Sequence, residues 1–216
     1  MPETSPAEAT CWRCREPADA LVCPRCDAVQ PLPASTDLFA VLGLPRALDV
    51  DAADLERRYH AASRVVHPDR HQTAGEDERK LSLAASAAVN RAYRTLRDPV
   101  ARARYWLELH GRRLGEGRPE VPPVIAADVF ETQELLAALR TAGRDAAAVR
   151  ADVERRRDEL AARVATLKNE LIAGSDGGRQ LDDLAARLAE IAYLRTLLGD
   201  IEESLGEGVR GTDHRH

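Results

Sequence analysis

Leu55, Tyr59, Ala62 and Val66 recur at steps of three and four residues, with charged or small residues between them. That spacing puts one apolar face on a helix of roughly 51–66. Asp51, followed three residues later by Asp54, has the form of a capping box with aspartate in both roles and marks the helix start. The pair His67-Pro68 marks its end, because the residue before a proline is driven out of helical geometry. A polar loop runs on to Gly75, and Glu76 opens a second helix. On that helix Leu81, Ala85, Ala88, Ala92 and Leu96 share one side, with Val89 and Tyr93 beside them. Asp98-Pro99 closes it and starts another, with Asp as the cap and Pro at the first helical position. This next helix carries Tyr105, Trp106 and Leu109 and ends near His110 and Gly111. Upstream, Ser35, Thr36 or Asp37 can cap a short helix that opens with Leu38 and Phe39 and stops at Gly43.

Residues 111–123, GRRLGEGRPEVPP, are rich in Gly and Pro and read as a linker. Three more helical stretches follow, at roughly 124–142, 145–173 and 179–205. The middle one shows Val149, Val153, Leu160, Val164, Leu167 and Leu171; the last shows Leu181, Leu184, Leu188, Ile191, Leu194, Leu198 and Ile201. Apolar stripes at this spacing, with a turn from Gly174 to Gly178 to reverse the chain, predict an antiparallel three-helix unit over 124–205. No strand and no internal repeat is evident. The fold class expected is therefore all-α. Residues 1–10 are expected to be flexible, 11–33 a compact cysteine knot, 36–110 a unit built on a helical hairpin, and 206–216 a flexible tail.

Composition narrows the class. With 44% hydrophobic and 31% charged residues in 216, the chain is a globular protein rather than a disordered one. Aromatics are only 4%, so its cores are built from Leu, Val, Ile and Ala, which suits helices. A net charge of −5 gives the whole molecule no electrostatic reason to bind nucleic acid or an anionic membrane. The start, MPETSPAEAT, has neither a basic opening nor an apolar run, and no segment approaches about 20 uncharged apolar residues. The cytoplasm is the expected compartment, and thiols there stay reduced.

All four cysteines lie in CWRCREPADALVCPRC, as Cys11, Cys14, Cys23 and Cys26. Two C-x-x-C pairs supply four soft ligands, each pair chelating from one turn, and together they complete a closed tetrahedron around a structural Zn2+. A redox dithiol would need only one C-x-x-C, usually at a helix start after a strand. An iron–sulfur cluster could use the same four thiolates. A zinc knot either docks a partner or only orders the N-terminus.

His67, Pro68 and Asp69 occupy a tight polar loop between two antiparallel helices, directly after a helix bearing Arg57, Arg58 and Arg64. Proline stiffens the loop, so a carboxylate presented there can pair with a cation on a partner whose surroundings are acidic. The plainer reading makes Pro68 a helix stop, Asp69 a turn residue and the arginines a solvated face. Metal chelation by His67 and His71 is interrupted by Pro68 and finds no third ligand beyond Asp69.

Three stretches taken together, DLFAVLGL, LERRYHAASRVVHPDR and AVNRAYRTLRDPVARARYWLELHG, resemble a J-domain in order, spacing and core positions over about 37–110. The resemblance implies stimulation of the ATPase of a DnaK-type chaperone, with His67, Pro68 and Asp69 as contact residues and Arg57, Arg58 and Arg64 on the basic helix. It also implies a core role for Leu55, Tyr59, Ala92, Tyr93 and Leu96. The whole order of knot, J-domain, linker and three-helix unit is similar to the HscB family of iron–sulfur co-chaperones, some of which carry a tetracysteine zinc knot like CWRC…CPRC…QPLP. That likeness implies a DnaK/HscA-type chaperone ATPase and an IscU-type scaffold protein as partners. It places client contacts at Ile125, Ala126, Val129 and Tyr193, while Phe130, Gln133 and Ala137 stand where the family has acidic residues, with Glu131 and Glu134 close by.

The expected function is thus that of a non-enzymatic co-chaperone, with no catalytic residues, no nucleic acid and no membrane partner. A J-domain protein for an unrelated client is the nearest alternative, and a C-x-x-C thiol oxidoreductase the alternative of a different class.

Overall fold

A computed structural model of the chain describes residues 10–18, 21–33, 35–112, 123–142, 146–173 and 179–212. Two compact units divide the chain, Met1–Arg102 and Ala103–His216. Most of the expected linker, residues 113–122, and the expected turn at 174–178 lie outside the described residues, as do 1–9 and 213–216 of the expected flexible ends.

In the first unit the short helix α1, Leu38–Val41, is capped by Asp37, whose side chain accepts from the Phe39 amide at 3.1 Å. It is closed by Gly43 at φ +63°, where the amides of Gly43 and Leu44 return to the carbonyls of Ala40 and Phe39. This paired return is a Schellman turn, and the left-handed backbone is what demands glycine there. Helix α2, Ala52–Val66, starts at Asp51, which accepts from the Asp54 amide at 2.6 Å. Only this half of the expected capping box forms through side chains. Asp54 instead holds Arg57 and Arg58, the latter at 2.9 Å.

Helix α3, Glu76–Arg97, packs antiparallel to α2 and also contacts α1. Its buried stripe is Ser82, Ala85, Val89, Ala92 and Leu96, so Leu81 and Ala88 stand at the margin rather than at the centre expected for them. The reason is local: the Ser82 hydroxyl donates to the Val66 carbonyl at 2.8 Å, and that carbonyl lost its helical partner when Pro68 ended α2. Tyr59 and Tyr93 stack across the hairpin with centroids 4.1 Å apart, and the Tyr59 hydroxyl donates to Asn90 at 3.0 Å. Asp98 caps α4, Pro99–Leu109, by accepting from the Val100 amide at 2.8 Å. Buried Arg102 donates to the Leu96 carbonyl at 2.5 Å and closes the end of α3.

The second unit contains the larger part of α4, from Ala103 on, a 3-10 turn, Pro123–Ile125, and helices α5 (Ala126–Thr141), α6 (Ala146–Ala173) and α7 (Arg179–Thr212). All three helices pack on one another. Val153, Leu160, Val164, Leu167 and Leu171 of α6 meet Leu184, Leu188, Ile191, Leu194, Leu197, Ile201 and Leu205 of α7 in the buried set. Leu197 takes the place expected for Leu198, and α7 runs past the expected end at 205. Arg150 of α6 donates to the Leu205 carbonyl at 3.0 Å, which anchors that last buried turn. Adding further turns to a formed helix is cheap.

Charge also crosses the bundle. Asp128 of α5 pairs with Arg156 at 2.8 Å and with Arg163, both on α6, and Arg163 reaches Glu190 of α7 at 2.5 Å. Burial works to lower the Arg163 pKa, but the two carboxylates outweigh it and raise it. Among the described residues there is no strand, only the isolated bridges Thr10–Pro17 and Val22–Val29. None of the described helices is long and apolar enough to cross a membrane.

Ser82→Ala leaves the Val66 carbonyl buried without a partner. The expected cost is about 1–3 kcal/mol, read as a lower urea midpoint with unchanged slope; an unaltered midpoint would show that the hydroxyl does not hold the two helices together.

Candidate metal knot and His-Pro-Asp turn

Each C-x-x-C forms the same turn. The Arg15 amide donates to the Cys11 carbonyl at 3.0 Å and the Cys11 amide to the Glu16 carbonyl at 2.8 Å; Asp27, Cys23 and Ala28 repeat these bonds at 3.0 and 2.9 Å. The residue after each second cysteine is left-handed, Arg15 at φ 67° and Asp27 at φ 57°. Such a backbone disfavours L side chains other than Asn or Asp, so Arg15 holds it only because both flanking bonds close the knuckle.

The two knuckles bring the four sulfurs within 4.8 Å of one another, with Cys11–Cys26 and Cys14–Cys23 each at 3.6 Å. Four thiolates about 2.3 Å from one tetrahedral ion would be ~3.8 Å apart. The donor set therefore fits a single metal ion with no open position. Amide donors surround it: the Arg13 N–H approaches Cys11 Sγ at 3.4 Å and the Gln30 side chain at 3.3 Å. Trp12 closes the cover by donating to the Val29 carbonyl at 2.7 Å.

The sulfurs titrate against one another. Burial pushes the Cys11 thiol up, but the amides of Cys14 and Arg13 and the neighbouring thiols bring it down to about 6. Cys26 accepts from the Ala28 amide, which lowers it, yet burial and the three other sulfurs drive it up to about 12; Cys14 is raised as well. One thiolate forms readily and the later ones resist until a cation neutralises the cluster.

The second site is the turn after α2. His67 caps the 3-10 segment Pro68–His71 by accepting the Asp69 amide on Nδ1 at 3.3 Å. Asp69 points outward with 74% of its side chain exposed, one oxygen held by Gln72 at 3.2 Å and the other 3.6 Å from His67. The two histidines that could be read as a chelating pair part company. His67 stays outside, while His71 is buried with Nε2 3.1 Å from the Val65 carbonyl and Nδ1 3.5 Å from Glu78. Of the three arginines, Arg58 is drawn in to Asp54 and, at 2.5 Å, to the Gly43 carbonyl. Arg57 and Arg64 stay on the exposed face.

One of the four expected client residues is not on the surface. Ile125 is completely buried and caps α5 from within, because the 3-10 turn folds it under the bundle; it is a core residue. Ala126 is exposed, and Val129 and Tyr193 are half-buried. The apolar side chains that do face outward are Val124 and Phe130, 61% and 65% exposed, with Glu131 and Glu134 on the same helix. An aromatic at position 130, followed directly by Glu131, Thr132, Gln133 and Glu134, was the available signal. The contacts of Arg13, Asp27 and Glu78 had none.

Residues 37–105 match the DnaJ domain family. The chain is 40% identical over 122 residues to a co-chaperone protein HscB homolog of Bordetella petrii, spanning 56% of this chain and 69% of that one. It is 35% identical over 133 residues to the iron–sulfur cluster co-chaperone protein HscB of Homo sapiens, spanning 59% and 57%. Among solved structures, human co-chaperone protein HscB superposes with a TM-score of 0.64 at 26% identity, covering 90% of this chain and 97% of that one. Chaperone HscB from Vibrio cholerae gives 0.58 at 25% identity, covering 78% and 96%.

Burial and the neighbouring sulfurs raise the Cys14 and Cys26 thiols, so loading one divalent ion at pH 7 should expel protons from them. Affinity should fall as pH falls, since protons compete for the same sulfurs. Calorimetric titration in two buffers of different ionisation enthalpy measures this; uptake without proton release would refute the four-thiolate site.

Proposed function

Since the chain belongs to the HscB family of J-domain co-chaperones, which work with an Hsp70-type chaperone in iron–sulfur cluster assembly, we propose that it delivers an IscU-type scaffold to an HscA-type ATPase in the cytoplasm. The observation that carries this reading is the outward Asp69 carboxylate on a turn braced from both sides. The turn's proline removes backbone freedom before any partner arrives, so less ordering is lost on contact. Asp69 supplies the anion for a partner guanidinium or ammonium group, and His67 holds the turn's backbone. Arg57 and Arg64 supply the cationic flank that steers an acidic surface on to α2.

Client binding belongs to the α5 face. Val124 and Phe130 are each exposed to water, and Glu131, paired with Arg156 at 3.0 Å, and Glu134 follow Phe130 on the same helix. Scattered exposed leucines are ordinary, but an exposed phenylalanine on a well-packed bundle, with an exposed valine in the turn that leads into its helix, supports a contact surface here. Carrying client and chaperone contacts on one chain raises the effective concentration of each for the other. The knot holds Zn2+ through Cys11, Cys14, Cys23 and Cys26. A tetrathiolate set at these separations suits that ion, which supplies folding energy to a segment with almost no apolar core. All four sulfurs share one cluster, which leaves no dithiol free for disulfide exchange. The protein works by contact, as a co-chaperone, rather than by catalysis of its own.

Asp69→Asn keeps the size of the side chain and removes its charge. Helix content and client binding should stay as they are while stimulation of chaperone ATP hydrolysis disappears in a steady-state phosphate assay; retained stimulation would remove the assignment.

Val124→Ser with Phe130→Ser should weaken scaffold binding about tenfold or more with the thermal midpoint unchanged. Ile125→Ala should instead cost about 2–5 kcal/mol of stability. Equal scaffold affinity in the Val124/Phe130 variant would move the client site elsewhere.

A further inference from the structure

We propose that the cysteine knot holds the His-Pro-Asp turn in its presenting geometry, with Arg13 and Asp27, one from each knuckle, as the positioning residues. This rests on the reading above that the turn meets the chaperone. Arg13 lies between Cys11 and Cys14, and its backbone is tied to the Cys11 sulfur. Its guanidinium reaches Glu78 of α3 at 3.4 Å. The other oxygen of Glu78 lies 3.5 Å from His71, whose far ring nitrogen is 3.1 Å from the Val65 carbonyl at the end of α2. A continuous polar path therefore runs from the first knuckle to both edges of the turn. From the second knuckle, Asp27 directly follows Cys26 and accepts from Arg70 at 3.3 Å. The two ties end on residues 70 and 71, immediately after Asp69.

Neither tie is needed to hold a metal, and neither would form if the knuckles were loose. The knot's apolar core is Cys11, Ala18, Cys23 and Ala28, too little to order it alone. The metal makes the knuckles rigid, and the knuckles then fix where Arg13 and Asp27 stand. The Arg13 tie is the stronger. One of its ends is sheltered, Glu78 having 10% of its side chain exposed against 55% for Arg13, whereas Asp27 and Arg70 are 71% and 52% exposed and both screened by solvent. Metal occupancy thus becomes part of how firmly the turn is presented.

The test uses the full-length zinc-loaded chain with Arg13→Gln and Asp27→Asn combined. Asparagine tolerates the left-handed backbone of position 27, and all four ligands remain. One zinc per chain should still be found. Amide exchange at Arg70 and His71 should speed up severalfold, and the co-chaperone concentration giving half-maximal ATPase stimulation should rise about fivefold with the maximal rate retained. Removing zinc from the unaltered chain should accelerate exchange at the same two amides. A charge swap, Asp27→Arg with Arg70→Asp, should restore slow exchange relative to Asp27→Arg alone; Arg15 already occupies the equivalent left-handed position in the first knuckle. Unchanged exchange at 70 and 71, or an unchanged half-maximal concentration, in the fully metallated double variant overturns the proposal. Failure of the underlying reading looks different: Asp69→Asn would then stimulate normally, whatever the exchange rates show.

Discussion

Pro68 ends helix α2, and the carbonyls it strands have to be satisfied inside the fold. Val66 is met by the Ser82 hydroxyl and Val65 by the His71 ring. Those two bonds decide much else. They lock α3 against α2 at one register, they pull the residue two positions after Asp69 into the interior, and they leave the Asp69 side chain facing water. An exposed carboxylate on a turn is commonplace. One whose neighbours are committed to buried polar contacts is held in place, and a partner can rely on its position.

Arginine does three different jobs in this chain. Arg58 and Arg102 act as internal clamps on carbonyls at the ends of α1 and α3. Arg156 and Arg163 join helices of the bundle through Asp128 and Glu190. Arg13 and Arg70 link the knot to the turn. The planar fork of the guanidinium holds its donors in fixed directions toward two acceptors, where a lysine ammonium is a flexible point charge, and the chain holds only two lysines, Lys80 and Lys168. Exposed pairs of this kind contribute little to stability one by one. Their value lies in setting geometry where apolar contacts are few, and the knot is the place with fewest.

Helix positions, caps and the clustering of the four cysteines were legible in the sequence because each depends on residues close together in the chain. The Asp37 cap, the stop at Pro68, the Asp98-Pro99 junction and both C-x-x-C knuckles follow from local chemistry that a few residues specify. Periodicity went wrong by one position at Ser82 and at Leu197, where a helix turned to satisfy a polar group or a neighbouring helix rather than its own hydrophobic average. Ile125 was misplaced for a related reason. An isoleucine beside a helix start reads as surface or core depending on a 3-10 turn that sequence periodicity does not mark.

The sequence by itself determined an all-α chain with a four-sulfur knot, a proline-stiffened acidic turn and a three-helix unit, since local propensities and ligand spacing are carried by neighbours in the chain. Only the tertiary structure decided which faces turn inward, that Phe130 rather than Ile125 meets solvent, and that Arg13 and Asp27 reach Glu78 and Arg70. Those pairings join residues dozens of positions apart, and their existence depends on how folded elements approach one another in space.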